Sequence, residues 1–285
     1  MKFSIITPSF SQLDYLKRCV ASVADQNGLE VEHIVVDGGS TDGTVEWLKQ
    51  SVEQLSTDTY RLTFISEADS GMYDALNKGF GRATGEIFAW LNCDEQYLPD
   101  TLAFVHDWFA THPEKDLLFG STLLIRPDGS LIAYRKTIPA RWACMAASHL
   151  YNLSCGMFFR RGAWARSGPF DSSYRNLGDQ KWVMQLLRAG VQTDHTSRFL
   201  SAFCFTGQNL SRSEEARREE QCLYNQHPAW IRRFRCPLNL LRWFAKALCG
   251  TYYQRPFDYS VYPDKNADCR KIFHIKKAPF QWPKK

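Results

Sequence analysis

In the first hundred residues, short β-branched runs alternate with stretches of helical periodicity. This alternation restricts the chain to an α/β fold, a mostly parallel sheet flanked by helices. Residues 2–7 (KFSIIT) read as a buried strand ending at Pro8, and residues 12–24 carry apolar side chains at 13, 16, 20 and 23, the spacing of one helix face. Residues 33–37 (HIVVD) give a second strand, 41–55 a helix with Ser40 or Thr41 available as its cap, 62–66 a third strand, 71–82 a helix and 86–91 (EIFAWL) a fourth strand. In open sheets of this kind ligands bind beyond the carboxyl ends of the strands. Those ends read Thr7-Pro8-Ser9, Asp37-Gly38-Gly39, Glu67-Ala68-Asp69 and Asn92-Cys93-Asp94-Glu95, so three of the four carry carboxylates.

The second half changes character. Residues 117–126 and 130–136 flank Pro127-Asp128-Gly129, a tight-turn sequence, and read as a hairpin. Residues 154–159 and 193–205 read as strands, and 179–189 as a helix closed by Gly190. From about residue 212 the chain is helical in pattern, basic and aromatic, which divides it into an amino-terminal α/β domain over 1–211 and an extension over 212–285. Residues 1–216 carry a net charge of −5 and residues 217–285 one of +10. An acidic body with a basic tail asks for an anionic partner, nucleic acid or a membrane surface, and no recognised nucleic-acid module accompanies the charge. Within the tail, WIRRFRCPLNLLRWFAKAL (230–248) mixes aromatic and aliphatic groups with Arg232, Arg233, Arg235, Arg242 and Lys246, and suits a helix pair broken at Pro237 in an anionic membrane interface.

Hydrophobic residues make up 44% of the chain and charged residues 23%, which excludes a disordered chain. The apolar runs are too short to span a bilayer, and Pro8 spoils the amino terminus as a signal peptide, so a cytoplasmic protein, peripheral at most on the inner face of the cell membrane, is expected. The nine cysteines are odd in number and show no CxxC spacing, so they read as small buried hydrophobes rather than a disulfide framework or zinc knuckle.

Three motifs carry chemistry. VDGGSTDGT (36–44) places an aspartate and exposed amides where a base or ribose could be read, and it lacks both GxGxxG and a P-loop lysine. EADSGMYDALNKG (67–79) sets Asp69 in a loop and Asp74 and Lys78 four apart on the following helix, spaced for an ion pair. LNCDE (91–95) ends a buried strand with Asp94 and Glu95, hard oxygen donors for Mg2+ or Mn2+ that would need phosphate oxygens and water to complete a shell. The polar stretch FTGQNLS (205–211) could close over a diphosphate.

Taken in order, ITPSF (6–10), VVDGGSTDGT (35–44), SEADSGMYDALNKG (66–79), ATGEIFAWLNCDE (83–95), FFRRGAWARSGPFD (158–171) and GDQKWVMQLLRAG (178–190) resemble family-2 glycosyltransferases of the GT-A fold, in particular bacterial enzymes of exopolysaccharide and lipopolysaccharide synthesis. The resemblance covers roughly residues 1–210 and implies roles by position. Thr7, Pro8 and Asp37 would line the base and ribose, Asp69 would add a second contact to the base, and Lys78 would lie near the nucleotide. Asn92 and Asp94 fall on the Asp-x-Asp motif, with Asp94 as ligand to Mn2+ or Mg2+, and Asp179 falls on the general base, preceded here by Gly178 where Glu is frequent.

The implied reaction is an inverting transfer of a sugar from a nucleoside diphosphate, a uridine donor first, to a hydroxyl of a glycan or polyprenyl-linked acceptor. A carboxylate within reach of that hydroxyl takes its proton, and one displacement inverts the anomeric centre without a second carboxylate nucleophile. Two other readings stay open at this point. A nucleotidyltransferase would need a basic glycine-rich loop, which PSFSQ (8–12) does not supply. A non-catalytic carbohydrate- or membrane-binding protein on a degenerate transferase fold would fit Asn92 and Gly178.

Overall fold

The computed structural model describes residues 1–207, 214–263, 265 and 267–282. Four parallel strands form one side of the main sheet: β1 (Phe3–Ser9), β2 (Val31–Asp37), β3 (Tyr60–Ser66) and β4 (Ile87–Trp90), separated by α1 (Leu13–Ala24), α2 (Thr44–Leu55) and α3 (Met72–Phe80). After the short strand β5 (Glu95–Tyr97) and α4 (Thr101–Thr111) come the hairpin β6 (Leu117–Ile125) and β7 (Leu131–Arg135), α5 (Trp142–Ala146), β8 (Met157–Arg160), α6 (Arg161–Ser167), α7 (Gly178–Arg188) and β9 (Thr193–Cys204). The strands join in the order β3-β2-β1-β4-β8-β6-β9-β5, with β7 paired to β6. Antiparallel β8, inserted between β4 and β6, is where the parallel run ends. The result is the mixed, mostly parallel sheet flanked by helices that the alternation predicts.

Both faces of the sheet are covered. In β4, Phe88 and Trp90 enter an aromatic cluster with Phe80, Phe159, Phe170 and Trp182, while Ile87 and Ala89 pack with Leu16, Val20 and Phe158 on the other face. A strand buried on two faces must be apolar throughout, and for that reason these strands read as unbroken runs.

The boundaries differ locally for identifiable reasons. β1 continues through Pro8 to Ser9, because its ladder with β4 stops at Ile6 and only the β2 side is paired beyond it. α2 begins at Thr44 rather than residue 41, since Ser40 donates to Asp37 and Asp42 accepts from the Thr44 amide and hydroxyl.

The extension is not wholly helical. After α8 (Glu214–Asn225), α9 (Ala229–Arg233) and α10 (Arg235–Leu248) it ends in a second hairpin, β10 (Phe257–Val261) and β11 (Lys271–Ile275). Tyr259 and Val261 pack there on Leu123, Ile125 and Ala202, and Arg270 binds Asp25 and the Tyr97 and Ser260 carbonyls. Pro237 does not break the helix pair. The break falls at Phe234, and Pro237 sits in the first turn of α10, where a missing N–H leaves no bond unmade. Among the described residues no helix is long and apolar enough to cross a membrane. Five cysteines are buried as expected, but Cys222, Cys236 and Cys269, all in the extension, are exposed.

Candidate active site

The carboxyl ends of β1 and β4, the amino ends of α3 and α7, and the extension enclose a cavity of about 1460 Å³. Of the residues singled out by sequence, Pro8, Asp69, Asn92, Asp94 and Asp179 line it. Thr7, Asp37 and Lys78 do not. Thr7 is fully buried and pairs with His33 Nε2 at 2.9 Å, while His33 Nδ1 pairs with the Tyr60 hydroxyl at 2.9 Å. Desolvation pushes His33 down to about 3, so it stays neutral. Asp37 is also fully buried, and its carboxylate accepts from the Gly39 and Ser40 amides and the Ser40 and Ser66 hydroxyls. It folds the loop after β2. Lys78 pairs with Glu67 at 2.9 Å and Asp74 at 3.5 Å and donates to the Ala68 carbonyl, bracing the loop that carries Asp69.

That loop is drawn close to the one after β2. A Cβ on Gly38 would stand 2.9 Å from Asp69 Oδ2 and 3.2 Å from the Phe10 ring, so a side chain there would displace the Asp69 carboxylate or the Phe10 ring. Phe10 itself is 64% exposed and lines the same corner, an aromatic face that nothing in the local pattern singles out.

The turn after β4 presents Asn92 and Asp94. Glu95 begins β5, is fully buried and accepts from the Asn92 amide at 2.8 Å, so it shapes the turn instead of joining Asp94 at the cavity. Burial raises the Asp94 carboxyl, and burial followed by the charge of Asp94 raises Glu95 further. The Asn92 side-chain oxygen is buried with no hydrogen-bond partner. Asn92 and Asp94 thus offer hard oxygen donors to a divalent cation, and the fit is a partial one. Among the described residues no cluster of three His, Cys, Asp or Glu side chains could cage a metal alone, so substrate phosphates and water would supply the rest of the shell.

Asp179 stands in the first turn of α7. Burial pushes it up to about 6, against hydrogen bonds from the Gln180 amide at 2.7 Å and the Tyr73 hydroxyl at 3.2 Å that favour the carboxylate. The Tyr73 ring also explains Gly178, because a Cβ there would lie 2.7 Å from it. Tyr73 occupies the space that a larger side chain before Asp179 would need, and its hydroxyl fixes the carboxylate. The loop before α7 is held from the extension: Glu219 on α8 accepts from the amides of Arg175, Asn176 and Leu177 at 2.6, 2.9 and 3.0 Å. Tyr73, Arg175 and Glu219 escape a sequence reading, since nothing local marks contacts separated by forty to a hundred residues of chain. Of the 205–211 stretch, Thr206 lines the cavity, and residues 208–211 lie outside the described residues.

The sequence model described as "Glycosyl transferase family 2" matches residues 4–187. A PGL/p-HBAD biosynthesis glycosyltransferase of Mycobacterium bovis is 32% identical over 181 residues, covering 62% of this chain and 66% of that protein. The chain therefore spans slightly less than two thirds of the length of this relative. Among solved structures, S. aureus TarS in complex with UDP-GlcNAc superposes with a TM-score of 0.65 at 18% identity, over 88% of this chain and 75% of that one. The mannosyltransferase PcManGT from Pyrobaculum calidifontis, in complex with GDP-Man and Mn2+, gives 0.56 at 18% identity over 87% and 75%. At these identities the two structures establish likeness of fold.

Proposed function

The chain belongs to glycosyl transferase family 2, and from that premise we propose that it transfers a sugar from a nucleoside diphosphate to an acceptor hydroxyl with inversion, Asp179 acting as the base. The observation that carries this reading is the meeting of Asn92 and Asp94, on one turn, with Asp179, remote from them in sequence, on one cavity. The base would lie against Phe10 and within reach of Asp69, beside Pro8. Asn92 and Asp94 would hold Mn2+ or Mg2+ together with the donor's phosphates. When bound, such an ion offsets the charge of the departing diphosphate. Asp179, poised near 6, takes the proton as the acceptor oxygen bonds to the anomeric carbon and the carbon–oxygen bond to the diphosphate breaks. Asp37 and Lys78 support the loops after β2 and β3, and Thr7 ties β1 to His33 on β2, rather than touching the donor.

A thermal-shift panel of nucleoside diphosphates with Mn2+ tests the donor site. The matching nucleotide, uridine diphosphate first, stabilises by about 2.7 kcal/mol at a hundredfold excess over its Kd. Asp94→Asn abolishes the Mn2+-dependent part of that shift. A panel with no response, or an Asp94→Asn protein indistinguishable from wild type, contradicts the assignment.

We further propose that the outer face of α10 rests on an anionic membrane, where a polyprenyl-linked acceptor would be found. The helix is folded with its apolar side outward: Leu241, Phe244 and Leu248 are 52%, 63% and 73% exposed, and Trp243 and Leu240 flank them. Arg242 and Lys246, which the sequence reading gives to the lipid, face inward, Arg242 being buried and Lys246 lining the cavity. Contact with lipid therefore rests on apolar burial, aided by exposed Arg232, Arg233 and Arg235. Full burial of such side chains contributes about 1.5–3 kcal/mol each. Leu241→Glu with Phe244→Glu is expected to cut flotation with phosphatidylglycerol vesicles at least about tenfold. Equal flotation of the two proteins contradicts membrane contact through this face.

A further inference from the structure

The cavity exceeds the ~300–1,000 Å³ of most small-ligand sites, and the donor reading leaves one wall of it unused. That wall is built from Arg135 and Lys136 at the end of β7, His149, and Lys246 and Thr251 from α10 and the turn that follows it. Arg242 stands behind Lys246. Among the described residues none of Arg135, Lys136, Arg242 and Lys246 pairs with a carboxylate. Desolvation lowers Lys246 to about 8, helped by the charges of Arg242 and Arg135, and the charges that act on His149 come from Arg242, Lys246 and Arg135. No acidic group perturbs either one. Asp94 and its neighbours form a separate electrostatic group.

Two buried polar atoms here have no partner. Arg242 is 8% exposed and its Nε is unbonded, although its Nη2 reaches Asn239. Thr251 is 6% exposed and its Oγ1 is unbonded. The wall is nevertheless well braced. Lys136 Nζ donates to the Gly250 and Tyr253 carbonyls at 3.4 and 2.8 Å, and the Arg135 guanidinium lies 4.9 Å from the centre of the Trp282 ring. Collecting unpaired cations on a half-enclosed surface is unfavourable unless an anion joins them. We propose that this wall is a subsite for a phosphate or diphosphate group on the acceptor. The assignment to the acceptor rests on the donor lying at Asp94, as argued above. The same helix that turns Lys246 inward to the cavity turns Leu241 and Phe244 outward to solvent.

The test titrates the full chain, in EDTA, with inorganic diphosphate. Wild type is expected to bind, Arg135→Gln with Lys246→Gln to weaken binding at least about tenfold, as the loss of charge-assisted hydrogen bonds implies, and Thr251→Val to weaken it more modestly while keeping every charge. Asp94→Asn binds as wild type does. Farnesyl diphosphate distinguishes the sources: tighter binding than inorganic diphosphate points to a lipid-linked acceptor, and equal binding to a soluble phosphorylated one, both supporting the site. Absence of diphosphate binding by wild type overturns the proposal. So does a parallel loss of Mn2+-dependent nucleoside diphosphate binding in the double variant, which would give the wall to the donor. If nucleoside diphosphates fail to bind wild type while inorganic diphosphate still does, the donor reading fails and the anion site itself stands.

Discussion

Asp179→Asn is expected to lower sugar transfer about 10²–10⁴-fold, to leave nucleoside diphosphate binding unchanged and to make the protein more stable at pH 7. The first effect is the loss of a proton acceptor. The second follows because Asn keeps an oxygen for the Tyr73 hydroxyl and the Gln180 amide, so the turn that opens α7 is undisturbed. The third comes from burial, which raises the carboxyl from 3.8 to about 6. The folded chain then holds this proton more tightly than the unfolded chain does. Stability associated with it is present below the unfolded value and is lost as pH rises through the folded one, at a cost of about 2–3 kcal/mol at neutral pH. The stabilisation by Asn should therefore be largest above about pH 6 and vanish below about pH 4. With Mn2+ and donor saturating, conditions that would keep the likewise raised Asp94 ionised, wild-type transfer should rise about tenfold per unit below pH 6 and level off above it, a limb the variant lacks. Melting curves and transfer rates over pH 4–8 decide. Loss of nucleotide binding in Asp179→Asn, or a limb that persists in it, removes Asp179 from the role of base.

The frame around Asp179 was legible because physics leaves few alternatives to it. IFAWL (87–91) has no polar face, so it must be a strand covered on both sides, and the polar residues that follow must emerge at the sheet's end. The same reasoning located Asp94 and Asn92 at the cavity. It could not say which acids are already committed elsewhere. Asp37 has the position of a ligand-binding acid, but its own loop and Ser66 take up its carboxylate, a pairing fixed only when β2 and β3 align. Facing is the second thing sequence hides. The pattern of α10 is amphipathic whichever side is turned in, and only its packing on α5 reveals that the charged side looks into the protein. The terminal hairpin is hidden by composition, since FDYSV and KIFHI share the aromatic and basic content of the helices before them.

Glu219→Ala is expected to reduce kcat about 10²-fold with little change in donor affinity, although Glu219 lies outside the matched family region and does not line the cavity. Its carboxylate gathers three consecutive amides at the start of α7, a placement favoured further by the helix dipole. Without it those amides must find water, the turn loosens, and Asp179 moves relative to the acceptor; a displacement of about 1 Å can cost ~10²-fold in rate. A general loss of stability would produce the same fall in activity, so pH supplies the discriminating measurement. The Glu219 charge is one of the influences that raise Asp179. Glu219→Gln removes the charge while keeping an oxygen for the amides, and should shift the acidic limb of the rate profile to lower pH while retaining more of kcat than Ala does. If Gln and Ala lose activity equally with the limb unmoved, Glu219 is a structural brace alone. If the limb moves, then the base of this enzyme is positioned and tuned by a helix contributed by the extension, and the extension is part of the catalytic apparatus.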